Sequence, residues 1–336
     1  MNILLIDYIS YKEHRNFNKI HIDVLLELGN TLTLVGKKRQ FDEYKEDSRA
    51  RIINLPYEGN SLKEEIANLL WIKKNCLSQD VNIIVVLTYN ILSLFTFRVS
   101  IPTFVINHTN VSQMDMSLKG KIKYLLTKSL PRNYSHICLN EEMCHRLLEL
   151  MPNRNVYYVP HGICPISSKM MRPDFIKDKQ YLFCPINRNF DVEFVNNLFT
   201  SSLLADTLES NDMILYVKDK LITNQSLERT IKVPNSLSTE EYNYLITHAC
   251  AIILPYGKRF KYRCSGIFFE CVARNIPIIA TDISAMRIYK NDVNLFLFKD
   301  IIGLLESINK LSENSEIINN KEVFNPYQYW QKILEK

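Results

Sequence analysis

The sequence has no Cys-x-x-Cys pair among its 8 cysteines, which sit at positions 76, 138, 144, 164, 184, 250, 264 and 271. The ligand spacing of a zinc site is therefore missing. Most of these cysteines lie in apolar runs, such as Ile137-Cys138-Leu139 and Leu182-Phe183-Cys184. They are expected as buried free thiols of a reducing cytosol. Glycine is sparse, at 8 residues against 12 prolines in a 336-residue chain that is 46% hydrophobic, 23% charged and 11% aromatic. That mixture excludes a collagen, a disordered chain and a disulfide-dense miniprotein, and it fills two cores. A large charge excess is missing too. The 41 Lys+Arg face 36 Asp+Glu, a net charge of +5, which does not call for nucleic acid. The most membrane-like stretch, Val81 to Val99, is interrupted by Asn82, Thr88, Asn90, Ser93 and Thr96. A buried strand followed by a buried helix is expected there rather than a span. The opening residues carry no basic region and no small-residue cleavage site, so no secretory leader is expected. P-loop, Gly-x-Gly-x-x-Gly and Gly-x-Ser-x-Gly signatures are absent, which removes the usual marks of ATP hydrolysis, dinucleotide binding and serine hydrolysis.

What the chain does contain is a long alternation of short apolar runs and helical patterns. Strands are expected at Ile3–Ile6, Thr31–Val35, Ile52–Leu55, Ile83–Leu87, Thr103–Asn107, His136–Leu139 and Val156–Val159. Helices fall between them over Asn18–Leu28 (ended by Gly29), Leu62–Cys76 and Glu141–Leu150. The pattern then restarts. Strands are expected at Tyr181–Pro185, Met213–Val217, Thr230–Lys232, Ala251–Leu254, Ile276–Ala280 and Leu295–Phe298. Helices are expected over Val192–Phe199, Thr239–His248, Gly266–Arg274 and Ile301–Leu311, the second opened by a Ser238-to-Glu241 capping box. Pro160 to Pro173 is linker chemistry. The chain therefore reads as two α/β domains with parallel, doubly wound sheets, and a ligand is expected outside the carboxyl ends of the strands, in a cleft between them.

The segment richest in chemistry runs from Pro255 to Asp282. A basic loop with Lys258, Arg259, Lys261 and Arg263 precedes Ser265-Gly266, which opens a helix carrying Glu270. A helix N-terminus offers free N–H groups to phosphate. Gly266 permits close backbone approach, Ser265 is placed to cap the helix and donate to a phosphate oxygen, and Arg263 to grip phosphate in a fork. Glu270, one turn in, is placed to accept from two ribose hydroxyls. Cys264 and Cys271 are taken as structural.

This segment resembles the nucleotide-sugar site of GT-B glycosyltransferases, especially the retaining group 1 type of bacterial polysaccharide and capsule biosynthesis. The matching residues are Ser265-Gly266, Glu270-Cys271 and Ile276 to Asp282. The likeness extends along most of the chain: Ile3 to Asp7, Leu28 to Val35, Val159-Pro160-His161-Gly162-Ile163, Leu237-Ser238 to Tyr256, and Tyr327 to Trp330. The resemblance implies a GT-B fold with a first domain over 1–164, a nucleotide-sugar-binding domain over 165–320, and a terminal helix over 321–336 packing back toward the first. It implies transfer of a sugar from a nucleotide-diphosphate sugar to a saccharide acceptor, lipid-linked and envelope-destined. It implies metal independence, and the sequence has no Asp-x-Asp. The nucleotide sugar is a substrate, so no cofactor is expected. Two departures stand out. The first of a family pair of glutamates falls on Tyr262, and Tyr8 to His14 replaces a glycine-rich turn.

The resemblance also places diphosphate-binding cations at Arg188 and Lys218, with Lys220 an alternative to the latter. His108 follows a strand at its carboxyl end, where it could hold donor-sugar hydroxyls, act as an acid or base, or be a plain hydrogen-bonded loop residue. Arg188, Arg263 and His108 form the expected catalytic set; an inverting variant would instead need a carboxylate such as Asp7, Glu13 or Asp115. Finally, Lys119, Lys121, Lys123, Lys128 and Arg132 fall in a stretch from Met116 to Asn140 with no carboxylate. Apolar residues are interleaved, so the stretch reads either as a dock for an anionic membrane or lipid-linked acceptor, or as an amphipathic helix with a solvated basic face. The expected location is the cytoplasm, with peripheral attachment to the inner face of the plasma membrane. Two rival readings are a GT-B nucleotide-sugar epimerase or hydrolase and a non-catalytic saccharide- or partner-binding protein.

Overall fold

The strands of this chain are short, almost continuously apolar runs, which is the pattern of parallel sheets covered on both faces. The computed structural model describes residues 1–9, 14–114, 118–163, 166, 168–185, 190–218, 229–234, 236–311 and 318–335. Among these, two sheets form, and every strand pairing within them is parallel. The chain divides into one unit of residues 1–162 with 324–336 and another of residues 163–323.

The first unit contains, in order, β1 (Asn2–Asp7), α1 (Arg15–Glu27), β2 (Thr31–Gly36), β3 (Ala50–Asn54), α2 (Leu62–Asn75), β4 (Ile83–Thr88), α3 (Ile91–Leu94), β5 (Thr103–Asn107), α4 (Asn110–Met114), α5 (Leu118–Lys128), β6 (Tyr134–Cys138), α6 (Glu141–Leu150) and β7 (Val156–Tyr158). Its sheet runs β3-β2-β1-β4-β5-β6-β7, so the strand order reverses between β1 and β4. Alternate residues serve opposite faces. Ile3, Leu5, Val85 and Leu87 pack with α1, whereas Leu4, Ile6, Ile84 and Val86 pack with α2 and α3. α1 ends where expected: Gly29 has φ +77°, the left-handed conformation that stops a helix.

The second unit contains β8 (Gln180–Cys184), α7 (Val192–Phe199), α8 (Ser202–Ser210), β9 (Met213–Lys218), β10 (Thr230–Val233), α9 (Thr239–Thr247), β11 (Ala251–Leu254), α10 (Gly266–Arg274), β12 (Ile278–Thr281), α11 (Ser284–Arg287), β13 (Leu295–Phe298) and α12 (Ile301–Leu311). The order β10-β9-β8-β11-β12-β13 repeats the plan of the first sheet, reversing between β8 and β11. A last helix, α13 (Tyr327–Leu334), belongs to the first unit. Its Trp330 is fully buried among α1 and sheet residues, and Trp330 Nε1 donates to His21 Nδ1 at 2.9 Å.

The expected capping box is present: Ser238 accepts from the Glu241 N–H, and Glu241 reaches back to the Ser238 N–H. A second box, Ser61 with Glu64, opens α2. The seven cysteines among the described residues are free thiols, five of them buried; Cys164 lies outside the described residues. No helix among the described residues is long and apolar enough to cross a membrane.

Candidate functional site

In the second unit, the carboxyl ends of β8 and β9 and the first turns of α9 and α10 surround a cavity of about 320 Å³. Its lining is Pro185, Lys218, Leu237, Ser238, Thr239, Tyr242 and Ile267. Pro185 directly follows β8, one of the two strands at which the sheet order reverses, the usual place for a ligand in such sheets. Lys218 ends β9 with its ammonium 5.2 Å from the centre of the Tyr242 ring. Burial holds its pKa below the ordinary lysine value.

Glu270 lies behind this wall. The Tyr242 hydroxyl hydrogen-bonds its carboxylate, while Glu270 Oε2 is buried without a partner. Burial pushes the Glu270 carboxyl up, against the opposing effects of the Arg274 charge and the Tyr242 hydrogen bond. Arg274 is committed elsewhere: it donates to the backbone of Glu270, to Thr247 Oγ1 and to Asn243 Oδ1. A buried acceptor lacking a donor is costly, so this oxygen suits a hydroxyl donor from outside the chain.

Ser265 and Gly266 open α10, and Arg263 lies just before them. Ser265 takes the N-cap position but makes no side-chain cap bond. This corrects the capping expectation: its hydroxyl pairs with Tyr256 Oη at 2.9 Å, and its N–H donates to the same oxygen at 3.3 Å. A Cβ on Gly266 would meet nothing within 4 Å, so the glycine faces open space rather than a neighbouring element. Arg263 stacks its guanidinium 4.6 Å from the centre of the Phe260 ring, and its Nε donates to the Arg259 carbonyl at 3.4 Å. Burial lowers its pKa from the ordinary arginine value. No carboxylate among the described residues pairs with it. Tyr262, by contrast, is buried at 8% exposure, with the Lys261 ammonium 4.9 Å from its ring centre. Arg188 and Lys220 lie outside the described residues.

His108 belongs to the first unit. Its Nε2–H donates to the Leu87 carbonyl at 3.0 Å, which leaves Nδ1 as an acceptor. Its ring centre is 4.3 Å from that of His14 and 4.5 Å from that of Phe17, and Phe17 also contacts His21 and His161. Burial, then the neighbouring His14 and His161, hold His108 well below the ordinary imidazole range. It is therefore neutral at physiological pH. Asp7, at the end of β1, is wholly buried and accepts from Asn18 Nδ2 at 2.6 Å and Gln40 Nε2 at 2.7 Å. Glu13 and Asp115 lie outside the described residues.

The basic stretch forms α5 and the turn after it. Lys119, Lys121, Lys128 and Arg132 are exposed. Lys123 differs from the expectation of a common basic face, because its ammonium is turned onto Gln113 Oε1. Sequence reasoning missed Tyr242, which joins the cavity to Glu270. Its position one turn after the Ser238 cap was visible, but its approach to α10 was not.

No family model and no curated protein sequence matches this chain. Solved structures do match over nearly its whole length. A glycosyltransferase from Rickettsia africae superimposes with a TM-score of 0.64 at 13% identity, covering 99% of this chain and 97% of its own. A UDP-GlcNAc 2-epimerase from Methanocaldococcus jannaschii gives 0.63 at 14% identity, covering 100% and 99%. Anabaena HepE in complex with UDP-glucose gives 0.64 at 11% identity, covering 100% and 98%. The fold of this chain is therefore the GT-B fold.

Proposed function

We propose that the protein is a glycosyltransferase that holds a nucleoside-diphosphate sugar against the carboxyl edge of its second sheet. The observation that carries this reading is the buried, unpartnered Glu270 Oε2 behind the wall of the 320 Å³ cavity. A carboxylate held there by Tyr242 is a ready acceptor for ribose hydroxyls, and the cavity supplies apolar walls for a base. The Gly266 end of α10, Arg263 and Lys218 then offer N–H groups and cations to the diphosphate. As the glycosyl bond breaks, negative charge builds on the departing diphosphate. In this reading the Arg263 guanidinium and the α10 N-terminus meet that charge and lower the barrier electrostatically. In this reading the chain's own cations carry that charge, and the nucleotide sugar is a substrate rather than a cofactor. His108, in the first unit, is neutral with Nδ1 as an acceptor, which suits it to accept a hydrogen bond and not to act as a general acid. Retention of configuration, and a saccharide acceptor of the cell envelope, follow from the sequence resemblance.

A second reading has specific support, since 2-epimerases share the fold. Both predict the same donor site. The test is titration calorimetry with UDP, GDP, ADP, CMP and dTDP, followed by analysis of the sugar after incubation with the matching nucleotide sugar. One nucleotide should bind, with affinity falling at least tenfold in Arg263→Ala and Glu270→Ala. Binding indifferent to both substitutions overturns the site. A sugar epimerised without any acceptor selects the second reading, and transfer to a saccharide selects the first.

A further inference from the structure

We infer, within the proposed function and resting on it, that Tyr242 is a positioning residue which holds the lysine assigned to the diphosphate apart from the carboxylate assigned to the ribose. Three elements meet at this side chain. Lys218 ends β9, Tyr242 lies one turn into α9, and Glu270 lies on α10. Lys218 and Tyr242 both line the 320 Å³ cavity, and the Lys218 ammonium stands 5.2 Å from the centre of the Tyr242 ring. The Tyr242 hydroxyl bonds the Glu270 carboxylate. The ring is itself braced by Phe183 of β8, 6.3 Å away in a T-shaped contact.

Both partners depend on this tyrosine. Lys218 is half-buried, and no carboxylate among the described residues forms an ion pair with it. The negative face of the ring is what steadies its charge. Arg274, one turn beyond Glu270, is drawn away from the carboxylate. Its Nε donates to Thr247 Oγ1 at 3.1 Å, its Nη2 to Asn243 Oδ1 at 3.0 Å and its Nη1 to the Glu270 backbone carbonyl at 3.1 Å. Those bonds fix α10 against α9 at the residue next to Tyr242, so the hydroxyl meets the carboxylate at a set place. A lysine and a glutamate against one side chain would otherwise pair with each other and be lost to a ligand. The ring prevents this at little expense to either. A cation held by a ring face keeps its N–H donors, and a carboxylate bonded by one hydroxyl keeps its second oxygen, here the unpartnered Oε2.

The experiment is calorimetry with UDP, 2′,3′-dideoxy-UDP and uridine, and with the same three forms of guanosine and adenosine. The first two compounds compared read the ribose hydroxyls; the first and third read the diphosphate. Tyr242→Phe keeps the ring and the Phe183 contact but lacks the hydroxyl. Its preference for ribose over dideoxyribose should fall about tenfold, with the diphosphate preference and the melting temperature unchanged. Tyr242→Leu frees Lys218 to pair with Glu270 and should lower both preferences. Adding Lys218→Met to it should remove no further diphosphate preference, because coupled losses do not add. An intact ribose preference in Tyr242→Phe, an equal fall of both preferences in that variant, or additive losses in the double variant overturns the inference while leaving the donor site standing. Wild-type binding that is absent, or indifferent to Glu270→Ala and Arg263→Ala, overturns the donor site and the inference together.

Discussion

Glu270 is a carboxylate at odds with its surroundings, buried with one oxygen unpartnered. A carboxylate with a folded pKa above its unfolded value is most stable when protonated, and that contribution is lost as pH rises through the folded pKa. At pH 7 the ionised group therefore weighs against the fold. Glu270→Gln should raise stability at pH 7, with the gain shrinking as pH falls through the carboxylate range. The same change should cut nucleotide affinity at least tenfold. Denaturant melts at pH 7 and at acid pH with parallel calorimetry check this, and a destabilised variant would show that the carboxylate serves the fold instead. The glutamate itself was legible in the sequence, because a Ser-Gly helix start with an acidic residue one turn later is a local pattern. Its orphaned oxygen was not, since that depends on Tyr242 from another helix.

Among the elements, the two capping boxes offer a matched pair. Ser61 and Ser238 each satisfy the start of a helix by the same reciprocal bonds, and replacing either with Ala should cost about 1 kcal/mol. Only Ser238 also lines the cavity. Ser61→Ala should therefore lower the melting temperature with nucleotide affinity intact, while Ser238→Ala should lower both. Equal affinity in the two variants would remove the first turn of α9 from the site. The thirteen strands among the described residues fall close to where the apolar runs place them, because a strand buried on both faces needs a continuous run. The short helices α3, α4 and α11, and the longer α8, were less legible. Four- and five-residue helices are held by tertiary neighbours more than by propensity. α5 was visible as a basic amphipathic stretch, but which of its faces turned outward was decided by the close approach of Gly120 to the Gln113 carbonyl.

At the scale of the whole molecule, acid sensitivity follows from imidazoles buried without charge. His21 and His136 are fully buried, and burial lowers each pKa to about 3. Below the ordinary value of 6.5 the unfolded chain binds protons that the folded chain refuses. Their stabilising contribution is therefore full above pH 6.5 and is lost as pH falls toward 3. Going from pH 7 to pH 5 should cost the first unit about 1–2 kcal/mol per imidazole. The depressed carboxylates, Asp47, Asp212 and Asp282 among them, matter only below this window. Urea transitions at the two pH values test it, and coincident midpoints would mean that these rings accept protons within the fold. α13 ties into the same region, since Trp330 donates to His21 and fills the core around α1.

The sequence by itself determined the class of the molecule. Apolar runs in alternation with helical patterns specify parallel α/β units, and the restart after the proline-rich linker specifies two of them, because these signals are local and each element carries its own. It also determined which side chains bring charge to the start of α10. Tertiary structure alone decided what those charges face. The pairing of Tyr242 with Glu270, the stacking of Arg263 on Phe260, the turning of Lys123 onto Gln113 and the gathering of four histidines around Phe17 are contacts between separate elements or turns. No periodicity records them, since they depend on where the folded backbone brings one surface against another.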